Sequence, residues 1–215
     1  MKLRKLITCL VFIALIIGCN HYIAGPIMFP KQPHGYDISH HNTNIKWDKL
    51  NAQFVYLKAT QGTTFKDPKF LEYTRQAKAH GIKVGAYHFM DPNISGKKQF
   101  EHFSKVVGNS MNLIPVLDVE VMGIADDDIK QFIEACEKHY GVKPMIYANL
   151  FFYGKHYSVI KDCKWWMCSY LPWGYKNYDI WQYSQTKEVN GVVLDHNYIN
   201  PKHTIDDFSL NNTKN

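Results

Sequence analysis

The stretch that decides the fold is LIPVLDVEVMGIADDDIKQFIEACEKHYGVKPMIYA, residues 113–148. It opens on an apolar run from Leu113 to Val119, interrupted only by Asp118 and of strand length. Ile129, Phe132, Ile133, Cys136 and Tyr140 then recur at i, i+3, i+4, i+7 and i+11, the apolar stripe of an amphipathic helix over 126–140. Asp126, Asp127 and Asp128 fall at its positive N-terminal end, where carboxylates are stabilised, so this acidic run reads as a cap rather than a metal site. Gly141 supplies the stop. Pro144–Ala148 begins a second apolar run. Strand, helix and strand in so few residues imply a parallel pair joined by a helical crossover.

The same alternation extends outward in both directions. Short runs rich in Val, Ile, Tyr, Phe and Trp occur at Gly35–Ser39, Phe54–Ala59, Val84–Phe89, Ile114–Glu120, Pro144–Ala148, Trp165–Tyr170, Ile180–Tyr183 and Val192–Tyr198. Asp67-Pro68 reads as the capped start of a helix that runs to His80 and stops at Gly81. Ser95–Val107 places Phe100, Phe103 and Val107 on one helical face. The gaps from Tyr170 to Ile180 and from Tyr183 to Val192 are too short for helices, so hairpin-like antiparallel connections are expected in that half. The fold class is therefore α/β: an irregular single-domain β/α barrel of about eight strands, parallel in the first half and partly antiparallel in the second. No internal repeat or low-complexity segment is visible.

Composition agrees with one globular core. The 215 residues are 46% hydrophobic, 20% charged and 14% aromatic, which excludes collagen-like, coiled-coil and wholly disordered chains. The formal charge is +6, but residues 1–18 contribute Lys2, Arg4 and Lys5 and no acid. No basic run is interleaved with aromatics, so no nucleic-acid partner is expected. Residues 1–18 read as a signal peptide, a basic start followed by the apolar Leu6–Gly18. Leu15-Ile16-Ile17-Gly18-Cys19 resembles a bacterial lipobox, in which Cys19 becomes the lipidated first residue; an uncleaved anchor or a cut elsewhere stays open. Residues 19–33, with Gly25, Pro26, Pro30 and Pro33, read as a tether, residues 34–205 as the barrel and 206–215 as a tail. The expected location is the bacterial cell envelope, as a membrane-anchored lipoprotein on a face left open. Cys136, Cys163 and Cys168 read as core thiols rather than nucleophiles or zinc ligands, with a Cys163–Cys168 bridge an open alternative.

Four acids follow apolar runs: Asp37 in Gly35–Ser39, Asp118 and Glu120 in Ile114–Glu120, and Asp195 in Val192–Tyr198. On a strand, residues i and i+2 share a face, about 6.6 Å apart. Two acids on one face of an apolar strand are costly in a core, but at the C-terminal end of a barrel strand they face the pocket where barrel chemistry sits. Carboxyls gathered there cannot all keep ordinary pKa values, and a glycosidase needs one acid protonated while others are ionised. Loop caps, salt bridges or a Mg2+ or Ca2+ cluster remain alternatives for the same acids. Tyr87, Tyr147, Tyr170 and Trp181 near strand ends suit a sugar, though each also suits a core. No H-E-x-x-H, G-x-S-x-G, Walker loop or dinucleotide fingerprint is present.

These segments together resemble the family 25 glycoside hydrolases, lysozymes that cut peptidoglycan. Gly35-Tyr36-Asp37-Ile38-Ser39-His40 is similar to the family's opening segment, and Phe54–Thr60 to its second strand. Gly85-Ala86-Tyr87-His88-Phe89, Val116-Leu117-Asp118-Val119-Glu120, Ile180-Trp181-Gln182-Tyr183 and Val193-Leu194-Asp195-His196-Asn197 follow in the family's order. Gln61, His41-Asn42 and His196 depart from its common pattern. The resemblance implies an N-acetylmuramidase that cleaves the β-1,4 bond from N-acetylmuramic acid to N-acetylglucosamine. Glu120 would be the proton donor, and an ionised Asp118 would serve the second chemical step, directly or through the substrate's acetamido group. Asp37 and Asp195 map to the family's other cleft acids, and Tyr87, Tyr147, Trp181 and Gln182 become sugar-contact candidates. It implies peptidoglycan glycan strands as partner; no cofactor and no metal are expected, the lipobox makes the membrane a partner through the Cys19 lipid, and a monomer is expected. A non-catalytic peptidoglycan-binding lipoprotein of the same fold, or a glycosidase acting on another amino-sugar polymer, are the competing readings.

Overall fold

The computed structural model describes residues 33–170 and 177–210. The signal peptide, Cys19, nearly all of the tether and residues 211–215 lie outside the described residues. Eight strands close into a barrel: β1 (His34–Ile38), β2 (Phe54–Gln61), β4 (Lys83–Phe89), β5 (Val116–Asp118), β6 (Met145–Asn149), β7 (Trp165–Cys168), β8 (Ile180–Val189) and β9 (Val192–Ile199). A two-residue β3 (Phe65–Lys66) pairs antiparallel with the end of β2. The chain order β1-β9-β8-β7-β6-β5-β4-β2 is closed by a parallel β1–β2 pairing.

All pairings from β1 through β2, β4, β5, β6 and β7 to β8 are parallel; β9 alone runs against both neighbours, β8 and β1. The antiparallel part is thus narrower than the short gaps suggest. The segment from β7 to β8 contains no described helix, yet the two strands are parallel. The β8–β9 connection is the tight hairpin, turned by Asn190 and Gly191, both at positive φ as its primed turn requires.

Helices α1 (Phe70–Ala79), α2 (Gly96–Val107) and α3 (Asp126–Tyr140) cover the first half of the barrel, and the short α4 (Leu150–Lys155) and α5 (Tyr157–Ile160) follow β6. The acidic start of α3 and the left-handed Gly141 at its end match the sequence expectation. Helix α1 starts later than Asp67-Pro68 suggests, because those residues form a turn first: Phe70 N donates to Asp67 O at 3.2 Å. The Asp67 carboxylate still caps, accepting from Lys69 N at 2.9 Å, and it also ties down the His40 ring at 2.7 Å.

Strand alternation sorts the core into two layers. Val55, Leu57, Val84, Ala86, Leu117 and Ile146 point outward and pack with Phe70, Phe100, Phe103, Ile129 and Phe132 of the helices. Phe54, Tyr56, Val116, Met145, Trp166, Ile180 and Ile199 point inward and fill the barrel. Gly85 makes room for this filling, since a Cβ there would lie 2.0 Å from the Tyr56 ring. Ordered packing continues past residue 205: a 3-10 turn at Ile205–Phe208 drives Phe208, fully buried, into the inner layer at the strands' N-terminal end. Residues 206–210, expected as tail, are therefore part of the packed unit, because Ile114 N donates to Phe208 O and Leu210 N to Asn112 O.

Candidate active site

The C-terminal ends of the parallel strands open into a cleft lined by Asp37, Ser39, His41, Lys58, Tyr87, Phe89, Val116, Asp118, Glu120, Tyr147, Trp166 and Asp195. All four acids singled out in the sequence meet there, with Tyr87 and Tyr147. The inward parity of each strand explains this. Asp37 follows Gly35, Lys58 follows Phe54 and Tyr56, Phe89 follows Tyr87, and Asp118 follows Val116 at the two-residue period of a strand face.

Asp37 and Asp195 are opposite each other in the antiparallel β1–β9 pair. Their carboxyls are close enough to shift each other's titration. Burial and the Asp195 charge raise the Asp37 pKa well above the carboxylate range, against the pull of Asn197 and Gln182. Burial also raises Asp195, to about 6, with the Asp37 hydrogen bond opposing. Two carboxyls so placed titrate as a pair rather than singly. Asp37 Oδ2 accepts from Gln182 Nε2 at 3.0 Å and Asn197 Nδ2 at 2.7 Å. Gln182 Oε1 in turn accepts from Tyr147 at 2.9 Å and Tyr170 at 3.1 Å, and Asn197 Oδ1 from Trp166 Nε1 at 2.8 Å.

The β5 side is bare by comparison. Strand β5 is shorter than the apolar run because Pro115 has no N–H to give a ladder. Asp118 ends the strand at 6% exposure, and its Oδ1 has no protein partner. Burial, and next the Glu120 charge, push its pKa well above the usual range, while Lys58 acts in the opposite direction. Glu120 lies two residues on, past the strand end and open to solvent at the rim. Its pKa is raised by partial burial and by Asp37, and again Lys58 opposes.

Two sugar-contact candidates sit elsewhere. Trp181 packs outside the barrel with Trp165, Met167, Tyr178, Tyr183 and Tyr198, and its Nε1 donates to Ser169 O at 2.7 Å. Adjacent strand residues point to opposite faces, so Trp181 and Gln182 cannot both look inward. Gln182 takes the inward position but lies behind the cleft surface, 2% exposed, as the hydrogen-bond hub of Asp37. Lys58, Trp166 and Asn197 are functional neighbours that the search for acids passed over. No group of three or more His, Cys, Asp or Glu among the described residues is placed to hold a metal ion. The three described cysteines are unpaired, and Cys163 and Cys168 are not bridged. Such a set of carboxyls can donate a proton, accept one and stabilise a developing positive charge at one reacting centre.

Comparison with known proteins converges on one family. The profile of glycosyl hydrolases family 25 matches residues 36–192. The chain is 29% identical over 178 residues to the uncharacterized protein YegX of Escherichia coli K12, covering 74% of this chain and 65% of that protein. It is 28% identical over 190 residues to Lysozyme M1 of Streptomyces globisporus, covering 75% and 65%. The chain thus spans about 65% of the length of these relatives. Its fold superposes on the crystal structure of the bacterial lysozyme from Streptomyces coelicolor with a TM-score of 0.73 and 27% identity, covering 85% of this chain and 99% of that one.

Proposed function

The chain belongs to the family 25 glycosyl hydrolases, and we propose from that premise that it is a muramidase hydrolysing the β-1,4 bond between N-acetylmuramic acid and N-acetylglucosamine in peptidoglycan. The observation that carries this reading is the convergence of Asp118 and Glu120 from one strand end with the Asp37–Asp195 pair across a single cleft. A binding protein gains nothing from four carboxyls that repel one another. A glycosidase uses such repulsion to keep one acid protonated near neutral pH.

Glu120, at the open rim with a raised pKa, is the general acid that protonates the departing oxygen. Asp118 stabilises the oxocarbenium-like centre, either attacking C1 or orienting the 2-acetamido group that does so. The Asp37–Asp195 pair forms the opposite wall. Tyr87 and Tyr147 offer ring faces and hydroxyls to the sugar. The chain acts outside the cytoplasm, where its substrate lies, and is held to a membrane by a lipid on Cys19, as a monomer. Metabolic labelling with a clickable fatty acid should mark the wild type and not Cys19→Ala; equal labelling of both removes the anchor.

The reading is tested on purified peptidoglycan by mass spectrometry of borohydride-reduced soluble products. Muramitol at the new end is expected. Glucosaminitol, or no product, rejects it.

A further inference from the structure

Four acids in the cleft face a single ammonium. Among the described residues that line it, Lys58 is the one lysine or arginine. It occupies an inward position on β2, in register with Tyr87 of β4, and β4 carries Phe89 in register with Asp118 of β5. Its Nζ lies 4.7 Å from the centroid of the Phe89 ring and 5.6 Å from that of Phe65. These ring faces hold the ammonium over the pocket and thin the water around it. Its side-chain hydrogen bond goes to Gln61 Oε1 at 3.0 Å, a neutral acceptor. Gln61 turns its Nε2 to Asp91 Oδ1 at 3.0 Å, so the amide stands between Lys58 and that carboxylate. The ammonium is anchored without being neutralised.

Resting on the muramidase reading of the same cleft, we infer that Lys58 is a positioning residue: its ammonium, held over the cleft with no carboxylate partner of its own, is the counter-charge that the reactive carboxyls Asp118 and Glu120 share. The groups around it are Asp37 from β1, His41 just beyond β1, Tyr87 from β4, Asp91 after β4, Asp118 and Glu120 from β5, and Asp195 from β9. Glu120 and Asp37 push Asp118 toward its protonated form, as does its own burial; Lys58 is the charge that pulls the other way, and it pulls Glu120 likewise. With the partnerless Oδ1 of Asp118 taking no hydrogen bond from the protein, little else in the chain favours ionisation there.

The test is the pH dependence of kcat/KM for the full chain on soluble glycan fragments, with a 13C carboxyl titration of Asp118 that needs no turnover. Lys58→Met should move the acid limb and the Asp118 titration up by about one pH unit or more, about a tenfold loss of rate on that limb. Lys58→Arg should restore both. Gln61→Glu keeps Lys58 but gives it a counter-charge, and should shift both readouts in the same direction by less. A purely structural lysine would lower the rate equally at every pH. If the Asp118 titration is unmoved in Lys58→Met, or in Gln61→Glu should the first variant not fold, the inference is overturned. A wild type that releases no muropeptide while Asp118 still shifts in the variants would reject the muramidase reading and leave the Lys58 role standing.

Discussion

The two walls of the cleft hold the same functional group in opposite ways. On the β1–β9 wall, Asp37 is gripped by Gln182, Asn197 and Asp195, and those partners are gripped in turn by Tyr147, Tyr170 and Trp166. On the β5 wall, Asp118 keeps a buried oxygen free and Glu120 stands beyond the strand end. A carboxyl whose lone pairs are already filled makes a rigid, predictable field. One whose lone pairs accept no hydrogen bond is open to a ligand and costs stability until a ligand arrives. The first wall is held by its own partners; the second is open to a ligand.

Glu120→Gln should break the open wall most severely. Turnover of natural glycan is expected to fall on the order of 10²–10⁴-fold, measured by release of reducing ends. An aryl glycoside with a good leaving group, if accepted, should lose much less. Asp118→Asn should fall within the same range on both substrates. The reverse pattern, with Asp118→Asn sparing the activated glycoside, would exchange the two roles.

Stability should respond the other way round. Asn197→Ala strips Asp37 and the Trp166 indole of buried partners, a cost of about 1–3 kcal/mol, or about 2–4 °C in Tm per kcal/mol for a chain of this size. Asp118→Asn should leave Tm unchanged or raise it, since it removes a buried group that resists ionisation. Equal losses in the two variants by scanning calorimetry would erase the distinction between the walls.

A smaller effect concerns the titration of Asp195. Asp195 is raised from 3.8 to about 6 in the fold. The folded state thus binds that proton more tightly than the unfolded one, so the contribution is full below about pH 4 and is lost as pH rises through about 6. Asp195→Asn does not titrate. Its Tm relative to wild type should become more favourable between pH 4 and pH 7, and a constant difference would show that the fold does not raise the Asp195 pKa. The least change is expected from replacing Cys136, Cys163 and Cys168 together by Ala or Ser. Burial raises all three thiols, so none is a ready thiolate. Turnover per folded molecule should hold, with some stability lost at the buried Cys136.

The eight barrel strands are legible because each is an apolar run bounded by polar residues, and α3 because five apolar residues keep helical spacing. Strand β3 and helices α4 and α5 are too short to show any period, although Asn149 does cap α4, its Oδ1 accepting from Phe152 N at 3.1 Å. The acids are legible because charge at the end of an apolar strand is conspicuous. Lys58 shows the limit of that reasoning: only by carrying the two-residue alternation of Phe54 and Tyr56 forward does it appear on the inner face. The same parity, applied to Trp181 and Gln182, would have sent the tryptophan outward. Asn197 and Trp166 could not be placed by any local pattern, since their roles arise from contact between strands far apart in the chain.

The closing of β1 on β9 has a consequence for when the cleft becomes complete. Asp37 is made well before its neighbour Asp195, and the two meet only when β1 and β9 zip together. Contacts this distant in sequence form late in folding. Phe208, later still, seals the opposite end of the barrel. A nascent or truncated chain therefore has Asp118 and Glu120 but no second wall to work against. On the proposed reading of the cleft, the closure of β1 on β9 is the step that arms it.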